Sequence, residues 1–372
     1  MAIYSSGKTL FIIGKRNDNI KMSKKVLITG ILGQDGANMA EYLLETTDHE
    51  VYGMERRSGT PNYKNIESFQ NNDRFHLVNG DLTDSASIDN LVKEIEPNYF
   101  INFGANSYVG VSWEMPLQVF EANTLGVIRC LEAIRKFKPD CRFYSAGSSE
   151  ELGDVDYSPQ DIKHPIKPRS PYGASKAAAR HLVKVYKESY DLFAVHSILF
   201  NHEGTRRGEE FVTRKITKKV AEITNKLKTG EKFEPLQLGN IDAKRDWSDS
   251  KDFMVAVWMM LNQDKPKDYV LASGTTHSVR EFVQVAFQNA GVPGLWSGTG
   301  MDAKYRVFQE NTVLAEINEK WYRPAEVQVL HGDASEIKKD LGWEPQISFD
   351  KLVKNMVECD LAIYAKENPQ KD

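Results

Sequence analysis

Val26-Leu27-Ile28-Thr29-Gly30-Ile31-Leu32-Gly33-Gln34-Asp35-Gly36 decides how the rest of the chain is read. The apolar start reads as a buried strand, and the glycines at 30, 33 and 36 as the tight turn behind it. The periodic stretch over 37–46 reads as a helix. Positions without a Cβ let backbone approach a pyrophosphate, and a helix start offers unpaired N–H groups to the anion. Glycine triplets also collect in ordinary turns; standing between a first strand and a first helix gives this one its meaning.

Outward from that turn, short apolar strands continue to alternate with helices. Strands are expected at 51–54, 75–78, 99–103, 142–145 and 194–200. Helices are expected over 85–95 and where Val127, Leu131 and Ile134 share one face. Such alternation implies βαβ units and a parallel sheet covered on both faces. The expected fold is α/β, a Rossmann-type doubly wound parallel sheet with a smaller C-terminal α/β lobe. The rhythm weakens after residue 201. This gives an N-terminal extension over 1–23, a dinucleotide-binding domain over 24–200 and the second lobe over 201–372. The chain is expected to cross back to the first domain near 240–275.

Composition narrows the function classes. The chain has 372 residues, 41% hydrophobic and 27% charged, with Lys+Arg 48 against Asp+Glu 52 and a net charge of −4. A nucleic-acid partner would usually leave a basic surplus, and none exists. Three cysteines (Cys130, Cys141, Cys359) are too few and scattered for a disulfide framework or a thiolate metal site. None of the eight histidines forms an HExxH pair, so no metal is expected. No apolar run approaches the roughly 18 residues of a membrane span. A soluble, cytoplasmic protein without a membrane partner is expected.

The end of the second strand separates NAD from NADP, because an acidic residue there binds ribose hydroxyls and arginine accommodates a 2′-phosphate. The sequence offers Glu55, then Arg56-Arg57-Ser58. Two planar, permanently charged guanidinium groups beside a hydroxyl favour NADP, with NAD kept open by Glu55. The plain alternative is a solvated basic turn. Asp81-Leu82, after the third strand, either borders the adenine or caps the helix that follows.

Tyr172-Gly173-Ala174-Ser175-Lys176 sets a phenol and an ammonium on one helix face. A phenol titrates near 10; a nearby ammonium and the positive nicotinamide of an oxidised cofactor would both lower that value, making it a base for an alcohol proton. Tyr-x-x-x-Lys alone is common on surface helices. Its weight comes from the glycine turn upstream and from Ser148-Ser149-Glu150 at the end of the preceding strand, where a parallel sheet presents ligand-binding side chains.

With these motifs, the chain resembles the extended short-chain dehydrogenase/reductases and, among them, the GDP-mannose 4,6-dehydratase family. The likeness covers residue 25 to about residue 363 and includes Pro168-Arg169-Ser170-Pro171-Tyr172 and Ile198-Leu199-Phe200-Asn201-His202-Glu203. Further matches are Arg206-Arg207-Gly208, Phe211-Val212-Thr213-Arg214-Lys215-Ile216, Leu238-Gly239-Asn240, Arg245-Asp246-Trp247 and Tyr322-Arg323-Pro324-Ala325-Glu326.

The resemblance implies NADP-dependent dehydration of a GDP-sugar, GDP-mannose first, by C4 oxidation, loss of water across C5 and C6, and hydride return to C6. Ser148, Glu150, Tyr172 and Lys176 would be the reacting set, Glu150 removing the C5 proton. Cofactor contacts would come from Gly30, Gly33, Gln34, Asp35, Gly36, Arg56, Arg57, Ser58, Asp81, Leu82, Phe103, Gly104, Ser107, Tyr172, Lys176, His202 and Arg207. Substrate contacts would come from Ser107, Ser148, Glu150, Tyr172, Asn201, Lys215, Arg245, Arg323 and Glu326; any single basic residue among them could instead serve an intramolecular ion pair. A homodimer or homotetramer is also implied.

Two stretches depart from the family's pattern: Glu151-Leu152, where an apolar residue and tyrosine are common, and Asn106-Ser107-Tyr108, where Gln-Ser-His is usual. The rival readings are a dehydratase, epimerase or 4-dehydrogenase of another GDP-sugar such as a GDP-heptose, and a non-catalytic nucleotide sensor. The sensor predicts loss of the Tyr/Lys pair, which is present. Glu150 separates elimination from simple C4 oxidation, which needs no base at C5.

Overall fold

The computed structural model describes residues 23–308, 310–321, 327 and 329–369, so the extension expected over 1–23 lies, apart from Ser23, outside the described residues. The first half runs β1 (Lys25–Thr29), α1 (Gln34–Thr46), β2 (Glu50–Glu55), β3 (Phe75–Asn79), α2 (Ser85–Ile95), β4 (Tyr99–Asn102), α3 (Pro116–Phe120), α4 (Gly126–Phe137), β5 (Arg142–Ala146), α5 (Pro171–Tyr190) and β6 (Ala194–Leu199). It continues through β7 (Asn201–Glu203), α6 (Val212–Thr229), β8 (Leu236–Leu238), β9 (Lys244–Asp249), α7 (Ser250–Leu261), β10 (Tyr269–Leu271), β11 (Thr276–Ser278) and α8 (Val279–Asn289). The end comprises β12 (Gly294–Ser297), β13 (Lys304–Val307), β14 (Val313–Ile317), β15 (Val329–Leu330), α9 (Ser335–Leu341) and α10 (Phe349–Glu367).

Seven strands form the central sheet in the order β10-β6-β5-β4-β1-β2-β3, with every neighbouring pair parallel. Successive side chains on a strand face opposite ways, and here both faces are apolar. Val26 and Ile28 join Met39, Ala40 and Leu43 of α1, whereas Leu27 joins Ile88 and Val92 of α2 and Leu131 of α4. Tyr99 and Ile101 likewise oppose Phe100, and Tyr144 opposes Phe143. This two-sided burial is the doubly wound α/β fold expected from the alternating pattern.

The chain returns to this sheet after residue 201. Phe253, Met254 and Val257 of α7 share the core of α1, and β10 pairs with β6. Ile337 and Trp343 close the same core later, the Trp343 indole donating to Asp252 O at 3.1 Å. The remaining elements build a second core from Ile216 and Val220 of α6, Phe282 and Val283 of α8, Leu314 and Ala315 of β14, and Val353 and Met356 of α10. Two small sheets edge it: β11-β9-β15, with β7 also pairing β9, and β12-β13-β14-β8. The strand expected to run through Phe200 therefore ends at Leu199 and passes into β7.

β1 has β4 on one side and β2 on the other, so the chain leaves it in opposite directions. A crevice opens at such a point, at the carboxyl ends of the strands. Gly30 and Phe103 mark its two lips. Among the described residues, no helix is long and apolar enough to cross a membrane.

Candidate active site

Gly30 has φ +69°, which glycine adopts without cost, and a Cβ there would stand 2.9 Å from Gly104 N. Its carbonyl accepts Gly33 N–H at 2.9 Å, closing the turn. A Cβ on Gly36 would fall 2.3 Å from Gly30 O, so α1 packs against the turn only because that position is bare. Gly33 caps α1 without a side-chain bond, and Gly30 and residues 33–36 line a cavity of about 1970 Å³ that extends to α6. A backbone cradle at an uncapped helix start suits a pyrophosphate.

Asp35 and His202 line this cavity and serve each other, with Oδ2 2.9 Å from Nε2. Ser250 donates to Asp35 Oδ1 at 2.8 Å, and Gln34 bridges Asp35 Oδ1 and His202 O at 3.1 Å each. Burial works to push the Asp35 carboxyl up, but the charge and hydrogen bond of His202 hold it well below the carboxylate range. Burial works to lower the His202 imidazole, and Asp35 overcomes that, raising it. The pair fastens the glycine turn to β7.

The reacting candidates meet in the same cavity. Ser148 caps the single turn 149–151, its hydroxyl accepting Glu150 N–H at 3.2 Å. α5 starts at Pro171, capped by Ser170, and buries Tyr172 and Lys176. A Cβ on Gly173 would stand 2.4 Å from Glu150 O, so the Glu150 backbone lies directly on the first turn of α5. Ser148, Glu150, Tyr172 and Lys176 all line the cavity, as does Ser107.

The protein's own groups pull the phenol in both directions. Burial pushes the Tyr172 phenol up rather than down, and the Ser148 hydrogen bond opposes this only in part. Lys176 Nζ stands 6.0 Å from the Tyr172 ring centroid. Its ammonium donates to Ala146 O at 2.7 Å and is itself drawn down to about 8 by burial, against the charges of Glu151 and Asp35.

Toward α6 the cavity gathers Asn201, Arg207, Lys215 and Arg245. Asn201 Oδ1 is buried without a hydrogen-bond partner. Lys215 Nζ lies 3.4 Å from the Trp321 ring centroid, and burial draws it down to about 8. Arg207 pairs with Glu203 at 2.8 Å and covers the Phe211 ring at 3.5 Å, and Arg245 donates to Lys244 O at 2.9 Å. A row of cations and an amide beside the glycine cradle suits a second diphosphate.

Comparison with known proteins matches residues 27–356 to the family model described as GDP-mannose 4,6 dehydratase. The chain belongs to that family. Its relatives include the Drosophila melanogaster GDP-mannose 4,6 dehydratase, 42% identical over 354 residues, covering 93% of this chain and 88% of that protein. The Homo sapiens protein of the same name is 41% identical, with 92% of each chain covered. In fold, this family member superposes on a dTDP-glucose 4,6-dehydratase from Streptomyces venezuelae with NAD and TYD bound, at TM-score 0.76 and 20% identity over 92% of this chain and 97% of that one. The Pseudomonas aeruginosa RMD complexed with NADPH gives TM-score 0.71 and 21% identity over 92% of this chain and 100% of that one.

Several residues named as contacts stand apart from the cavity lining of this family member. Arg56, Arg57 and Ser58 leave the end of β2 exposed and outside the cavity lining. Asp81 accepts Thr83 N–H at 2.9 Å and its hydroxyl at 2.8 Å, so its side chain shapes the turn before α2, while Asp84 caps that helix. Leu82 is a core residue, and Gly104 N–H donates to Thr29 Oγ1, both beneath the lining; Phe103 reaches it. Arg323 and Glu326 lie outside the described residues.

Three features escaped the sequence reading. Gly147 and Gly173 look like loop glycines until the contacts a Cβ would make are known, and His196 sits in a strand with nothing to mark it. Glu151 carried a signal, as a charge where an apolar residue was expected.

Proposed function

We propose that this chain dehydrates GDP-mannose to GDP-4-keto-6-deoxy-mannose, with NADP as its cycling cofactor. The observation that carries the reading is the joining of Glu150 to Tyr172: a carboxylate and a phenol from different elements, locked together by the bare Gly173, in a cavity that also holds the glycine cradle. Among the family's relatives, those named above are all called GDP-mannose 4,6 dehydratases, which favours this reading over an epimerase, a 4-dehydrogenase or a GDP-heptose enzyme.

Bound NADP would lie along Gly30 to Gly36 and supply the hydride acceptor and donor for the sugar, together with positive charge near Tyr172. Tyr172 Oη takes the proton of the C4 hydroxyl, and Ser148 Oγ holds that oxygen by a hydrogen bond. With C4 a carbonyl, the C5 proton is acidic; the Glu150 carboxylate removes it and passes it to the departing C6 hydroxyl, which leaves as water. The hydride returned to C6 is matched at C5 by a solvent-exchangeable proton. Asn201, Lys215 and Arg245 hold the diphosphate end. Positioning within hydrogen-bond reach matters more here than bulk basicity.

NADP rather than NAD is supported at the end of β2. Glu55 accepts the Tyr63 hydroxyl at 3.0 Å, while Arg56 and Arg57 are exposed there. The NADPH of RMD and the NAD of the Streptomyces protein belong to those proteins and support only a nicotinamide cofactor. The reading includes a homodimer or homotetramer and a two-domain division near residue 201. Mass spectrometry of GDP-mannose incubated with the protein and NADP tests the function. Loss of one water without net NADPH is expected; an unchanged mass would sink the substrate.

A further inference from the structure

Directly beneath the reacting residues lies a buried carboxylate that the reaction above does not use. Glu151 and His196 are both fully buried, with Oε1 2.9 Å from Nε2. The same Oε1 accepts Ser148 N–H at 2.8 Å. A Cβ on Gly147 would stand 2.2 Å from His196 Nε2 and 2.5 Å from Glu151 Oε1, so the pair packs directly against the backbone that joins β5 to the Ser148 turn. Glu151 Oε2 and His196 Nδ1 have no hydrogen-bond partner.

A buried pair with two unpartnered atoms is poor stabilising material, and apolar side chains of similar size would serve the core as well. What the pair holds is one N–H, and that N–H belongs to the residue whose hydroxyl faces Tyr172. We propose that Glu151, held by His196, is a positioning residue: its carboxylate fixes the Ser148 backbone and, through it, the places of Ser148 Oγ and the Glu150 carboxylate. This rests on the dehydration reading for the groups it positions. The charge of Glu151 also acts on Lys176, opposing the burial that draws the ammonium down.

The test uses the full chain as Glu151→Gln, Glu151→Leu and the double variant Glu151→Leu/His196→Leu. Glutamine keeps an acceptor for Ser148 N–H; the double variant leaves no unpaired charge and carries the test if the single leucine variant fails to fold. Amide exchange at Ser148, read by NMR without substrate, should be slow in wild type and Glu151→Gln and about tenfold or more faster in the leucine variants. With GDP-mannose and NADP, kcat of the leucine variants should fall by about 10- to 100-fold while KM stays within about twofold, and glutamine should restore most of it. Unchanged exchange at Ser148 in a folded leucine variant, a wild-type kcat, or a loss carried by KM overturns the proposal. A wild-type protein that leaves GDP-mannose intact sinks the dehydration reading instead, and the Ser148 exchange still decides the pair.

Discussion

Glu150 and Tyr172 divide the chemistry, and each can be removed alone. Glu150→Gln should keep cofactor binding and lower dehydration by about 10²- to 10⁴-fold. Deuterium uptake at C5 from heavy water is the measurement, and uptake at the wild-type rate would refute the role. Tyr172→Phe should stop the first hydride transfer, so NADPH formed by that variant in a single turnover would count against it. Lys176 makes a stability prediction. Its folded value of about 8 lies below the ordinary 10.5, so between those two pH values the unfolded chain binds more protons. Stability should therefore rise with pH across that window. Lys215, also drawn down to about 8, adds in the same direction. Urea unfolding of wild type and Lys176→Met across the window checks it: the variant should show a shallower rise, and equal slopes would place the titration elsewhere.

Elements are held to one another by missing atoms. The first turn of α5 rests on the Glu150 backbone because residue 173 has no Cβ, and the added carbon of Gly173→Ala would meet a carbonyl 2.4 Å away. Backbone cannot yield as a side-chain tip can. The expected cost is about 1–3 kcal/mol of stability, with kcat falling more than KM because Glu150 moves against Tyr172. Denaturant unfolding and steady-state kinetics read the two effects, and an alanine variant with wild-type kcat would show the contact to be unimportant. At the end of β2, Arg56→Ala should weaken NADP more than NAD; equal losses would turn the choice toward Glu55 and NAD.

At the scale of the molecule, five of the exposed large apolar side chains among the described residues lie on and beside α3. Leu117 is 86% exposed, and Trp113, Met115, Phe120 and Leu125 are exposed near it in sequence. Exposed apolar side chains grouped in this way are a surface on which the proposed oligomer would seat a second copy of the chain. Leu117→Asp should lower the sedimentation mass without unfolding the chain; an unchanged mass would place the interface elsewhere. The same scale shows why the division near residue 201 is not a division of cores. α7, β10 and Trp343 all lie beyond that boundary and complete the first core.

Six of the seven strands of the central sheet were legible because their information is local: apolar runs of strand length, a glycine turn between the first strand and helix, and helical spacing at Val127, Leu131 and Ile134; the seventh, β10, is only three residues long and was not read as a strand. The Tyr172–Lys176 face and the Ser148-Ser149-Glu150 turn were legible for the same reason. Tertiary structure alone decided what those residues touch. Asp35 met His202 across 167 positions of sequence and Glu151 met His196 across 45, and the direction of the Tyr172 shift followed from burial. Periodicity records which way a side chain points. Partners distant in sequence, and the loss of water around them, exist only once the chain has closed on itself.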